Sequence, residues 1–148
     1  MINIYYFGKI KNKNLKNEIE YYSKKIDKVK LISIKENKER NPELIKKKEF
    51  LNIKEKIKND YNILLMEKGK EYDTIKFCEY IEKKIKNINK NINFIINGPF
   101  GPSQELINFC DETISLSRLT FLHETSIYLL LEQLYRCQCI KNNIPYHK

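Results

Sequence analysis

Three stretches of this 148-residue chain gather side chains that could do chemistry. The first is Asn97-Gly98-Pro99-Phe100-Gly101, where two glycines three residues apart close the apolar run INFII (92–96). Glycines at the end of a strand leave room for something to approach the backbone. That something could be a phosphate, the flat uncharged face of a ligand, or only the next helix. The phosphate reading fits worst. The turn matches neither G-x-x-x-x-G-K-[ST] nor G-x-G-x-x-G, has no lysine, and loses a backbone N–H at Pro99.

The second stretch, SLSRLTFLHE (115–124), sets Ser117, Thr120 and His123 beside Arg118. A hydrolase triad is poorly supported, because no G-x-S-x-G elbow frames either serine and the chain has one other histidine. The hydroxyls would equally serve to cap the helix that follows. The third stretch is the end of the chain. Glu132 and Arg136 stand at i, i+4, where an exposed ion pair contributes a few tenths of a kcal/mol. In IPYHK (144–148), a proline stiffens the tail while Tyr146 and His147 supply a ring and a titratable group, so the tail looks built to pack on something. Arg118 and Arg136 are two of only three arginines in a chain with 25 lysines. That placement suggests a need for a planar, bidentate donor rather than charge alone.

These stretches must be positioned by the elements around them. INIYYF (2–7), KVKLISI (28–34), YNILLM (61–66), INFII (92–96) and TISLS (113–117) read as strands. Between them lie helical patterns: one with Leu15, Ile19, Tyr22 and Ile26, one after Asn41-Pro42, one capped by Asp73, and a short one capped by Ser103. A long final helix spans about 124–141, and residues 67–70 read as a turn. Strands alternating with helices predict a single α/β domain over residues 1–148, with a mostly parallel sheet flanked by helices. Ligands of such sheets gather beyond the carboxyl ends of the strands, here the turns at 66–70, 97–102 and 117–123.

The net charge of +9 is concentrated in residues 1–90, which carry 24 basic against 14 acidic side chains, while the remainder carries four against five. A basic front half suggests a polyanionic partner, nucleic acid first, although a lysine-rich surface can also reflect an AT-rich genome. With 41% apolar residues, the chain has enough apolar content for a core. No apolar run reaches the ~18 residues of a membrane span, and the start lacks the order of a secretory signal, so no membrane and a cytoplasmic location are expected. The cysteines form no C-x-x-C pair, and Cys137 and Cys139 would point about 200° apart on a helix. No metal site is expected, and all four cysteines are expected as reduced, partly buried thiols.

Taken in order and at their spacings, NGPFG, SLSRLTFLH, LLLEQLYR and IPYHK resemble the SPOUT-class methyltransferases that modify N3 of a pseudouridine in large-subunit ribosomal RNA. The opening YYFGKIKNKNLKNEIEYYSKKI and the middle LLMEKGK extend the resemblance along the whole chain. It implies an α/β fold whose C-terminal part, about 92–148, is tied in a deep trefoil knot, a homodimer, and S-adenosylmethionine bound in the knot. By position, Leu65, Gly98, Ser117, Arg118, Leu119, Thr120, Phe121 and Leu122 would contact the methyl donor. His123 would position or deprotonate the base, and Arg136, Tyr146 and His147 would form the uridine pocket, with the tail reaching the partner's site. The pattern departs from the family at three places: Met66 stands for an acid, Asn97 for a second glycine and Ile127 for an arginine. A catalytically idle, dimeric RNA-binding member is the second reading.

Overall fold

In a computed structural model that describes all 148 residues, the predicted alternation resolves into ten elements. They are β1 (Ile2–Phe7), α1 (Lys13–Lys25), β2 (Val29–Ile34), α2 (Pro42–Ile57), β3 (Tyr61–Glu71), α3 (Thr74–Asn87), β4 (Ile92–Ile96), α4 (Gln104–Phe109), β5 (Glu112–Ser115) and α5 (His123–Lys141). Local chemistry sets four of the helix starts. Side chains of Asn12, Asn41, Asp73 and Ser103 accept the orphan N–H groups of Leu15, Glu43, Lys76 and Leu106, and Pro42 opens α2 where its missing donor costs nothing.

All strand pairs are parallel, in the order β2-β1-β4-β3-β5. One face packs Ile4, Ile63, Phe94 and Ile114 against α1, α3 and α5 through Ile19, Phe77, Ile81, Ile127, Leu130 and Leu131. The other packs Tyr5, Phe7, Leu64 and Ile95 against α2 and α4 through Ile53, Ile57 and Leu106. Every residue of β4 is buried, as expected for a central strand covered on both sides.

Three asparagines lie side by side across the three central strands, near their amino ends. Asn3, Asn93 and Asn62 are register partners on β1, β4 and β3, all of them buried. Asn3 Nδ2 donates to Asn93 Oδ1 at 2.9 Å, and Asn93 Nδ2 donates to Asn62 Oδ1 at 2.9 Å. The row ends where Asn62 Nδ2 meets the Ile57 carbonyl at 2.9 Å. The ladder therefore satisfies polar groups that would otherwise be costly in an apolar interior.

The structure corrects two expectations. Residues 67–70 do not turn. β3 continues through them to Glu71, because β5 pairs first with Ile63–Leu65 and then, after a register shift, with Lys70 and Glu71. Alternation within one segment cannot reveal a ladder supplied by a strand forty residues later. Gly69 makes that contact possible, since a Cβ there would sit 2.5–2.8 Å from the backbone of Ile114. The cysteines are not all free thiols. Cys78 of α3 and Cys137 of α5 are joined in a disulfide, while Cys110 and Cys139 are free. Packing of α3 against α5 brings the two Cα atoms to 5.0 Å across a sequence separation of 59 residues, which no local spacing motif signals. A loop of that length corresponds to about 4 kcal/mol in the chain-entropy account.

Asn93→Leu removes the middle of the ladder and leaves Asn3 and Asn62 each short of a partner. Urea denaturation is expected to show a loss of about 2–4 kcal/mol. A loss below about 0.5 kcal/mol would mean that the row is ornamental.

Candidate active site

The carboxyl ends of β4 and β5, with Leu65, Met66 and Glu67 at the middle of β3, open on a cavity of about 380 Å³, within the size range of small-ligand sites. Leu65, Ile96, Leu116 and Phe121 provide apolar wall, and Asn97, Gly98, Ser117, Thr120, His123 and Ser126 add polar atoms or backbone. A larger hollow of about 940 Å³ lies at the opposite edge, between α3 and α5, and holds none of the candidate residues.

The segment from Leu116 to Leu122 crosses the cavity. Its hydroxyls shape the crossing rather than cap α5. Ser115 Oγ donates to the Ser117 carbonyl at 2.9 Å, and Ser117 Oγ accepts the Leu119 N–H at 3.0 Å. The N-cap of α5 is Leu122, with no side-chain cap bond, so the capping explanation of these hydroxyls fails. Leu119 and Leu122 stand 70% and 75% exposed beside the cavity. Large apolar side chains left in water next to a cavity suit a surface that something else covers.

The glycines of the 97–101 turn serve different ends. Gly101 has φ +77°, a conformation that side chains rarely adopt. A Cβ on Gly98 would meet Glu49 Oε1 at 2.6 Å. Gly98 thus makes room for a buried carboxyl of α2, not for a ligand, although its backbone lines the cavity. Glu49 is 5% exposed, and burial, with the charge of Glu36 second, pushes its carboxyl from the ordinary 4.5 up to about 7. Its neighbour in the turn, Asn97, donates from Nδ2 to the Leu65 carbonyl at 2.7 Å.

His123 begins α5 at the cavity, with Nε2 3.1 Å from the Lys9 carbonyl. A carbonyl can only accept, so in the neutral ring the proton sits on Nε2 and Nδ1 keeps its lone pair. The next residue, Glu124, accepts the N–H groups of Lys11 at 2.8 Å and Asn12 at 3.2 Å. The Lys11 N–H, chiefly, holds its carboxyl below the usual range. Together these bonds pin the start of α5 to the start of α1.

A second polar cluster forms farther along α5. Arg136 bonds Glu132, reaches His147 Nδ1 at 3.2 Å and lies 4.7 Å over the Tyr146 ring. The Tyr146 hydroxyl bonds Tyr22 at 3.1 Å and Glu132 at 3.0 Å, and these contacts, Tyr22 first, raise its pKa. The Glu132–Arg136 pair is part-buried rather than exposed, and raises the Arg136 pKa further. Arg136, Tyr146 and His147 therefore do come together. Thirteen residues of continuous helix, however, separate Arg136 from His123 by roughly 20 Å. Within one chain the four candidate side chains form two groups. Seven of the eight candidate donor-binding residues line the cavity, and Arg118 alone does not, its guanidinium pairing instead with Glu71 at 2.5 Å.

Sequence reasoning passed over Glu49, Glu124, Tyr22 and the side chain of Asn97. Glu49 had a signal: it interrupts the apolar row Ile45, Ile53, Ile57 at four-residue spacing, and an acid in such a row is either misplaced or employed.

With this geometry in hand, the chain compares closely with known proteins. Residues 1–147 match the family described as "Predicted SPOUT methyltransferase". The chain belongs to the SPOUT methyltransferase family. The ribosomal RNA large subunit methyltransferase H of Fusobacterium nucleatum is 42% identical over 154 residues, covering 99% of each chain. The ribosomal RNA large subunit methyltransferase H 1 of Clostridium perfringens is 40% identical over 151 residues, covering 95% of each. A solved "probable methylase family protein" from Haemophilus influenzae superposes with a TM-score of 0.62 at 12% identity, over 99% of this chain and 70% of that one, a likeness of fold.

In this SPOUT chain, two of the three departures are apolar substitutions accommodated by packing. Ile127 is 0% exposed in the core with Leu130 and Leu131, and Met66 packs against the opposite core while lining the cavity.

Glu49 gives the SPOUT chain a pH-dependent stability. Between about pH 4.5 and 7 the folded state holds a proton that the unfolded chain has released. Its stabilising effect is complete below the lower value, fades as pH rises through 7, and amounts to about 3 kcal/mol at most. Glu49→Gln should raise the melting temperature relative to wild type at pH 8 and much less at pH 5. An equal difference at both pH values would contradict the burial argument.

Proposed function

We propose that this chain transfers a methyl group from S-adenosylmethionine to N3 of a pseudouridine in large-subunit ribosomal RNA, as a homodimer whose C-terminal third, about 92–148, carries a deep trefoil knot. The observation that carries the reading is the cavity at the carboxyl ends of β4 and β5 and the middle of β3. Its apolar walls, the backbone of the crossing segment and one buried, unmet acceptor on Asn97 suit a neutral, flat nucleoside portion better than a phosphate. The names of the full-length relatives point to ribosomal RNA as the substrate, and favour an active enzyme over an idle RNA-binding protein.

The sulfonium of the methyl donor supplies the electrophilic carbon when it is bound. What remains for the protein is positioning and removal of one proton. Leu65, Gly98, Ser117, Leu119, Thr120, Phe121 and Leu122 hold the donor, while Arg118 stands outside the cavity and its guanidinium pairs with Glu71. His123 Nδ1, with its lone pair free, accepts the N3 proton. Arg136, Tyr146 and His147 hold the uracil ring from the neighbouring subunit, because some 20 Å of helix keeps them from their own cavity. The basic residues of the first 90 hold the phosphates, so binding of ribosomal RNA weakens with salt.

Calorimetry is expected to show S-adenosylmethionine binding, and mass spectrometry of ribosomal RNA nucleosides to show the methylated pseudouridine lost when the gene is deleted. A protein that does not bind the donor, or RNA unchanged by the deletion, refutes the assignment. The shared site has its own test. His123→Ala and Arg136→Ala should each be nearly inactive. Co-expressed, they should recover about a quarter of wild-type activity, since half the dimers are mixed and each has one intact site. A mixture as inactive as its parents would place both groups in one subunit's site.

A further inference from the structure

Asn97 occupies a position where the resemblance implies glycine, so its side chain is an addition to that pattern. The orientation of its carboxamide is settled by chemistry. The atom 2.7 Å from the Leu65 carbonyl must be the NH₂, because a carbonyl cannot donate. Oδ1 is thereby turned away, and it is the one buried side-chain nitrogen or oxygen in the protein with no hydrogen-bond partner. Leaving an acceptor unmet costs about 1–3 kcal/mol, and such an atom calls for a donor that arrives later.

The cavity that Asn97 lines narrows the choice of donor. No lysine or arginine is among its lining residues, so a carboxylate or phosphate has no charged partner there. Leu65, Ile96, Leu116 and Phe121 instead offer apolar surface to a flat ring. Meanwhile Asn97 Nδ2 has taken the Leu65 carbonyl, so that backbone acceptor in the middle of β3 is no longer open to a ligand. The asparagine thus moves the acceptor from the backbone of β3 to a side chain at the end of β4.

Building on the methyl-donor reading above, we propose that Asn97 is a specificity residue whose Oδ1 accepts a hydrogen bond from the exocyclic amino group of the donor's adenine. Oδ1 is buried and has no protein partner, so the amino group displaces none when the ring enters. An adenine is accepted on this basis. A hypoxanthine, which presents a carbonyl at the same place, sets two acceptors against each other and is rejected.

The test is calorimetry with S-adenosylhomocysteine, its inosine counterpart and its 2′-deoxy counterpart, on wild type and on Asn97→Leu, with melting temperatures to confirm folding. Wild type should bind the adenosine compound at least ten-fold more tightly than the inosine compound, and the 2′-deoxy compound within three-fold of the parent. Asn97→Leu should bind the adenosine compound about ten-fold more weakly and distinguish the two bases by less than three-fold. Equal binding of both bases by wild type overturns the proposal while leaving the methyl-donor reading standing. So does a base preference unchanged in the variant, or a large loss on removing the 2′-hydroxyl. Failure of wild type to bind any of the three removes both readings together.

Discussion

The site depends on the register of three parallel strands, and that register is held by the row Asn3–Asn93–Asn62. Strands apolar on both faces have little to choose between alignments, because a slip exchanges one buried apolar side chain for another. Carboxamides in that setting permit one alignment, the one in which each finds the next. Three residues on from Asn62 and Asn93 lie Leu65 and Ile96, which are themselves register partners. Only with these two level can Asn97 reach back to the Leu65 carbonyl and the crossing segment close over the same cavity. Polar order at one end of the sheet thus fixes geometry at the other.

The same sheet explains what could be read in the chain before its structure and what could not. β1 and β4 and the capped starts of α3 and α4 are carried by local signals, and those elements lie where periodicity and caps put them. Parallel α/β architecture followed from alternation alone. The extension of β3 to Glu71 was not legible, since Glu67-Lys68-Gly69-Lys70 has the composition of a turn and becomes strand only because β5 approaches the bare backbone at Gly69. The Cys78–Cys137 bond was equally hidden, being a matter of which helices pack together. At the site, the resemblance picked out residues of which seven surround one cavity, but it could not foresee that Asn97 would spend its amide on Leu65, nor that the space beside Gly98 belongs to Glu49.

The charge distribution fits this division of labour. The cavity has no lysine or arginine in its lining and is built mostly from the near-neutral C-terminal part, while the lysines crowd the first 90 residues. Under the proposed function, long-range attraction to a polyanion and short-range recognition of a neutral ring are handled by different regions. A change in ionic strength then acts on encounter with RNA without disturbing how a nucleoside is held.

Helix α5 joins the two polar groups described above as one uninterrupted rod, with neither glycine nor proline in its nineteen residues. Glu124 bolts one end to α1, and the Cys78–Cys137 bond ties the other to α3. A strut fastened at both ends cannot let His123 drift while Arg136 stays put. The distance between the two polar groups is therefore a fixed dimension of the subunit, set by the rise of one helix.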